Sequence, residues 1–367
     1  MKREFPLLHY VVTESYNYTR QLLKNCVKFL LGRKLHYDAR FIFFRKYILH
    51  RIGVQRIWAV TCAMSSDKEG AASLASLTTC TINFARVSGL AYLHTPLSIV
   101  CHADRPMQQW AAAWESLFNL GAGEEPRHGR RRGVVDVGSY ALSNLNLCFG
   151  LRGREQELLD GFRALIPEFR RKYYLNKAPR TTDEITVAVH IRRGDVTAHA
   201  IPHMYTSTDK VLRVTSEVKS ILDSRGSPFS MRIYSQGNIE DFSELSPLGA
   251  EFFLDADAVW TMQELIEADV LIVAKGNFSY YAGVISDGIK IYEPHILGPA
   301  DEIRQLPNVG TPAVPLAWSW SIFSELNDWL PCLQDGSFDH ACFERQLDLL
   351  LQEKATAKAS RSGQPGA

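Results

Sequence analysis

No two of the seven cysteines, at positions 26, 62, 80, 101, 148, 332 and 342, form a Cys-x-x-Cys pair. That excludes a zinc ribbon and a dithiol redox motif. An odd, scattered set fits free thiols in a reducing compartment; Cys332 with Cys342 is the one local pairing the spacing offers. No stretch approaches the ~20 apolar residues of a membrane span. The start, "MKREFPLLHYVV", lacks an apolar core followed by small residues, so it does not read as a secretory signal. A cytoplasmic location is expected. A charge excess of one sign is also missing: the formal net charge is +1, so no global basic field draws the chain to nucleic acid. Repeats of short period are absent as well.

What is present is globular. Hydrophobic residues make up 46% and charged residues 22% of 367 positions, enough for two domains of ordinary size. Charge is uneven, however. Residues 1–52 hold eleven Lys/Arg against Glu4, Glu14 and Asp38, a local balance of +8. Within them "YTRQLLKNCVKFLLGRK" sets Leu22, Leu23, Val27, Leu30 and Leu31 at helical spacing, with Arg20, Lys24, Lys28 and Arg33 on other faces. Two readings follow: an amphipathic helix in peripheral contact with an anionic membrane, or a docked helix whose cations face water.

Beyond this prefix, strand-like runs alternate with helical ones. "QRIWAVTCA", "LAYLHTP" and "GRRRGVVDVGSY" bracket two helices, the second closed by Gly121 and Gly123. "ITVAVH", "SMRIYSQG", "AEFFLDA", "VLIVAKG" and "IKIYEP" repeat the pattern in the second half. Crossovers of this length imply parallel sheets covered on both faces. The expected class is α/β: two domains with parallel sheets and a cleft between them. The boundaries read as a basic helical segment at 1–54, a first domain at 55–180, a second at 181–300, a helical region at 301–352, and a disordered tail at 353–367.

In such sheets ligands bind at the carboxyl ends of the strands. "ITVAVHIRRGDV" runs its strand straight into His190, Arg192, Arg193 and Asp195. Two adjacent guanidiniums repel, and an anion across the strand end would compensate both. A second strand ends in Ser235, Gln236 and Gly237; a third ends in Gly276, Asn277, Phe278 and Ser279 at a helix start, where backbone N–H groups suit a phosphate. Together they suit a diphosphate. Singly, each has a plainer reading: salt bridges from Arg192 and Arg193 to Asp195 and Glu184, or an N-cap at Ser279. Asp255 and Asp257 form an Asp-x-Asp that can hold a divalent cation or serve as surface carboxylates. His94 and His102, with Asp104, end the first domain's second strand, where they either meet an acceptor or are polar loop residues.

"HIRRGD" resembles the H-x-R-R-x-D motif of the inverting α1,2-/α1,6-fucosyltransferase superfamily, which includes the nodulation fucosyltransferases. "LIEADVLIVAKGNFSYYAGVIS", "IYSQG" and "NFARVSGLAYLHTP" resemble further segments of that family in the right order, over roughly residues 55–300. The resemblance implies a GT-B-like fold of two facing Rossmann-like domains, the first (55–180) on the acceptor side and the second (181–300) donor-binding, with GDP-fucose as donor, a glycan or glycoconjugate as acceptor, and neither a metal nor another cofactor. It places His190 near the guanine and ribose, Arg192 on the β-phosphate, Arg193 in support of the loop, and Asp195 fixing the arginines or beside the reacting sugar. Ser279, with Phe278, would contact phosphate, and the loop around Gly70 would cover the diphosphate. The family's guanine-reading acid falls by spacing at Thr261, and "DKEGAASLAS" holds less glycine than the family's first loop. Asp195, His199 and His203 are the candidates for the acceptor base. The same scaffold with another nucleotide sugar, or a silent nucleotide- or glycan-binding protein, are the alternatives.

Overall fold

A computed structural model describes residues 6–30, 39–63, 69–129, 132–137, 154–178, 180, 182–293, 329–333 and 335–362. The chain divides into two compact units, Met1–Leu165 and Ile166–Ala367. Each carries a parallel sheet with helices in Rossmann-like alternation, so the α/β class with two such units holds. The division falls inside a helix, Glu155–Tyr173, upstream of the boundary read at 180/181. The reason is anchoring of that helix's last turns. Arg170 donates to the carbonyls of Ile285 and Ser286 at 3.0 and 2.7 Å, and the Tyr173 hydroxyl donates to Glu267.

In the first unit, helices α1 (Pro6–Leu30) and α2 (Ala39–Arg51) precede strands β1 (Ala59–Thr61), β2 (Ala91–His94), β3 (Glu125–Pro126) and β4 (Val134–Asp136). Their sheet order is β3-β2-β1-β4, all parallel. Helix α3 (Ala71–Val87) is buried almost throughout. Its residues are small enough to pack on every side, and the Thr81 hydroxyl turns back onto the Leu77 carbonyl at 2.7 Å. Helix α4 (Met107–Phe118) buries Trp110, Trp114 and Phe118. It stops at Asn119, which takes φ +50°, ahead of the glycines expected to close it. Asparagine tolerates that left-handed turn better than other side chains do.

In the second unit, β5 (Ile185–His190), β6 (Phe229–Ser235), β7 (Glu251–Leu254), β8 (Val270–Val273), β9 (Ile289–Tyr292) and β10 (Leu330–Pro331) form a sheet ordered β10-β9-β8-β5-β6-β7. Every pairing is parallel, with β5 registered on β6 from Ile185↔Phe229 to His190↔Tyr234. Val187, Val189, Ile233, Val270 and Ile291 fill the core below, each almost wholly buried, and each contributes about 1.5–3 kcal/mol. The chain leaves β5 for β6 and β7 on one side, then returns to β8 on the other. That reversal is a topological switch point between β5 and β8, where open α/β sheets take ligands. Helix α5 is the Glu155–Tyr173 helix, and α6 (Thr208–Ser224), α7 (Ala258–Ile266), α8 (Asn277–Ile285) and α9 (His340–Ser362) complete the unit.

The expected disordered tail is corrected by α9, which runs to Ser362. Lys354 donates to the carbonyls of Thr182 and Glu184 and pairs with Asp269 at 3.0 Å, while Lys358 pairs with Asp183. Four lysine contacts over one turn fix a segment whose composition alone reads as frayed. Cys332 and Cys342 are free thiols. Among the described residues, no helix is long and apolar enough to cross a membrane.

Candidate functional site

The switch point brings the first and third of the predicted strand ends together. After β5, Arg192 folds back and pairs with Asp195 at 2.8 Å. Its guanidinium lies so close to Gly276 that a Cβ there would collide with Nη1. Gly276, at φ +141°, is the N-cap of α8; a backbone that L side chains rarely adopt and a side-chain-free flank both require glycine. A guanidinium and a helix N-terminus, two positive potentials, are thereby held side by side. Asp195 offsets the guanidinium from one side, and the helix N-terminus still offers its amides to an anion.

His190 closes β5 with its ring against Phe278, centroids 5.4 Å apart. Its Nδ1 is buried with no hydrogen-bond partner. Burial, and secondarily the charge of Arg192, push its pKa down to about 3, so the ring is neutral at physiological pH and Nδ1 is an unsatisfied polar atom. Such an atom costs about 1–3 kcal/mol until something bonds to it.

Arg193 does different work. It donates to the Arg192 carbonyl at 2.9 Å and to the Thr208 hydroxyl, and its guanidinium sits 4.5 Å from the Tyr205 ring centroid. Burial lowers its pKa, with Tyr205 and Asp241 opposing. Ser235 donates its hydroxyl to the Ile191 carbonyl at 2.8 Å, which fixes the first residue after β5. Gln236 packs on Gly194, where φ is +75° and a Cβ would strike its Oε1.

Ser279 is fully buried and donates to the Ala274 carbonyl at 3.1 Å. The hydroxyl closes the β8–α8 turn instead of standing open to a ligand, because the first turn of α8 packs directly over the end of β8. Asn277 and Phe278 open the helix. Thr261 is buried in α7, whose N-cap Asp257 accepts from the Trp260 amide at 2.7 Å, and Asp255 accepts from Gly237. The Asp-x-Asp pair is therefore spent on backbone donors.

In the first unit, Gly70 is the N-cap of α3, and the loop residues 64–68 lie outside the described residues. His94 is buried and saturated: Nε2 lies 2.7 Å from Glu115 and Nδ1 3.2 Å from the Tyr92 hydroxyl. Gly121 lies flat against its ring, leaving no space for a Cβ. Burial pushes the Glu115 carboxyl up, but the bond to His94 and its charge bring it net below its ordinary value. His94 thus sits in the core with both ring nitrogens engaged. His102 is exposed at φ +59° next to the exposed Asp104, which pairs with Arg105. His199 is exposed, and His203 sits on a 3₁₀ turn, Pro202–Met204.

A node behind the site escaped the sequence reading. Glu293, just past β9, takes Lys275 at 2.8 Å, Lys210 at 3.0 Å and the Thr206 hydroxyl at 2.7 Å. Lys275 also donates to the Tyr205 carbonyl. Burial pushes the Glu293 carboxyl up, yet the bonds from Lys275 and Thr206, with Lys210, hold it below its ordinary value. One carboxylate ties the loop after "HIRRGD" to the turn that precedes Gly276. Between them a cavity of about 30 Å³ is lined by His190, Arg192, Thr206, Lys210, Glu293 and Cys332, among others. The only sequence signal was position: Lys275 and Glu293 each follow a strand, as many surface charges do.

No protein-family model matches the chain, and no curated protein matches it. Among solved structures, POFUT1 in complex with GDP is similar at 11% identity and a TM-score of 0.34, over 65% of this chain and 98% of that one. POFUT1 in complex with GDP-fucose aligns at 13% identity and 0.34, over 64% and 95%. UDP-GlcNAc 2-epimerase from Neisseria meningitidis bound to UDP-GlcNAc aligns at 8% identity and 0.26, over 91% and 83%. Likeness at these scores says nothing of what this chain binds.

Proposed function

We propose that the protein is a glycosyltransferase that transfers fucose, with inversion and without a metal, from GDP-fucose to a glycan or glycoconjugate acceptor. The observation that carries this is the Arg192 guanidinium held against Gly276 at the start of α8, beside the unpartnered Nδ1 of His190. A nucleoside diphosphate supplies negative charge to the helix N-terminus and to a guanidinium that Asp195 pairs from one side, and its ribose hydroxyl can bond His190 Nδ1 in either tautomer.

In the proposed reaction an acceptor hydroxyl attacks the anomeric carbon from the face opposite GDP and gives up its proton to a base, for which Asp195, His199 and His203 are the candidates. The bond to the β-phosphate oxygen breaks and that oxygen takes the electron pair. Charge grows there as the sugar becomes oxocarbenium-like, so a fixed guanidinium stabilises the transition state more than the ground state. Arg192 is preset by Asp195 at 2.8 Å. Arg193 and Ser235 hold the loop beneath it, and the amides of the first turn of α8 share the phosphate charge.

A second reading, a nucleotide-binding protein without transferase activity, is favoured by one fact: the Asp195 carboxylate is already engaged by Arg192. Calorimetry with GDP, UDP and ADP in EDTA tests the donor site. Micromolar GDP binding that ignores EDTA is expected. Preference for UDP would keep a transferase and discard fucose, and no binding to any nucleotide would overturn the reading. Glycan acceptors incubated with GDP-fucose then separate transfer from mere binding.

A further inference from the structure

The helix α1 is packed inside out. Glu14, only 5% exposed, points inward with the half-buried Asn17, Tyr18 and Gln21. The opposite side carries Val12, Tyr16 and Leu23, exposed at 56%, 67% and 63%, with Leu22 at 39%. At 100° per residue Val12, Tyr16 and Leu23 fall within about 40° of one another, a single stripe. Arg20 and Lys24, both exposed, flank it on one edge. Leu22 and Leu23 thus face out together with Arg20 and Lys24, while Val27, Lys28, Leu30, Leu31 and Arg33 lie outside the residues whose side chains are described. A soluble face gains nothing from three large apolar side chains in line.

We infer that this face of α1 binds the surface of an anionic membrane, its apolar stripe entering the interface and its cations meeting lipid phosphates. Charge selects the occupant. Residues 1–52 carry a balance of +8 within a chain of net +1, so the segment that holds the stripe is far more positive in sequence than the rest of the chain. Arginine and lysine beside an apolar stripe extend their stems along it while their charges reach the headgroups. Tyrosine suits the same depth. A second copy of this chain would instead set the +8 segments against each other. The inference does not depend on the donor site, which lies in the other unit.

The test is sedimentation of the full chain with vesicles of phosphatidylcholine alone and of phosphatidylcholine with phosphatidylserine, at low and high salt. Binding is expected only with phosphatidylserine and is expected to weaken with salt. Arg20→Glu with Lys24→Glu should lower the partition by about fivefold or more per cation changed. Val12→Asp with Leu23→Asp should abolish it, while an unchanged far-UV circular dichroism spectrum and an unchanged Tm report that the proteins are folded. Absence of binding to either vesicle overturns the inference, as does unchanged binding by the Val12/Leu23 variant. A concentration-dependent dimer that this variant dissociates, without vesicle binding, would assign the face to a second copy.

Discussion

Two histidines each end a parallel strand, one in each unit, and they are opposites. His94 closes β2 with both ring nitrogens bonded, to Glu115 and Tyr92, and with Gly121 flat against the ring. His190 closes β5 with a sealed Nδ1 that bonds to nothing and a guanidinium as neighbour. His94 stands one strand away from the reversal of its sheet, whereas His190 stands on the reversal of its own. The fold satisfies the first ring and leaves the second with an unbonded Nδ1, the atom on which the proposed donor site partly rests.

The sharpest way to break the comparison is to remove the charge beside the wanting histidine. Arg192→Ala should lower GDP affinity by ~1.5–3 kcal/mol and transfer rate by about 10²–10³, read by calorimetry and by single-turnover assay. Arg192→Lys should recover only part, because a point charge cannot reproduce a planar fork. Unchanged binding in Arg192→Ala would make the "HIRRGD" cluster purely structural.

Next in size is the node that holds the two halves of the site together. Glu293→Gln leaves Lys210 and Lys275 sharing a buried space without their counter-charge. Breaking a buried pair costs about 3–5 kcal/mol; with the carboxylate 18% exposed, the lower end is expected. Thermal unfolding at neutral pH should show a lowered Tm. Saturating GDP should restore part of it, since the anion supplies the missing charge. A variant as stable as the parent would remove Glu293 from the frame.

Gly276→Ala comes third. Its φ of +141° and the collision of a Cβ with Arg192 Nη1 predict about 1–3 kcal/mol of strain. GDP affinity should fall as well, because the guanidinium must move. Gly53, at φ +76° with open space around its Cβ, is the control: Gly53→Ala should destabilise and leave affinity alone.

How much of this was legible beforehand follows from the kind of signal involved. Alternating β-branched residues in "ITVAVH" and the crossover lengths announced parallel sheets, and "HIRRGD" and "GNFS" announced their own strand ends, because these signals are local. That β5 and β8 are neighbours is not local. The reversal in strand order juxtaposes Arg192 with Gly276, and nothing in either segment records it. The contacts that went unread have the same origin. Ser279 looks like a phosphate ligand until its hydroxyl is seen to close its own turn on Ala274, and His94 looks available until Glu115, from a different helix, reaches it. Helix α1 differs: periodicity finds an apolar stripe but not the side that the fold covers.

The smallest effect sharpens the comparison most. An ordinary histidine titrates near 6.5, but His190 in the folded protein is held down to about 3 by burial and by Arg192. Between those values the unfolded chain carries a proton that the folded chain refuses. Above pH 6.5 both forms are neutral and the group is indifferent to folding. As pH falls below 6.5 the unfolded state binds more protons, so stability declines with a slope approaching 1.4 kcal/mol per pH unit as an upper limit. The decline ends near pH 3, where the folded ring also protonates. His190→Gln should therefore change Tm little at pH 7 and flatten this acid limb at pH 5, the variant gaining on the parent by the proton it no longer takes up. The same substitution at position 94 should do the reverse at neutral pH. Half-buried Glu115 then loses its side-chain partner and keeps the Leu97 amide, and about 1–3 kcal/mol of stability should go with GDP affinity untouched. Calorimetric unfolding of the two variants across pH 5–7.5 decides the matter. If His190→Gln leaves the acid limb as steep as before, the ring at the switch point is no more deprived than the one in the core, and the contrast between the two units fails.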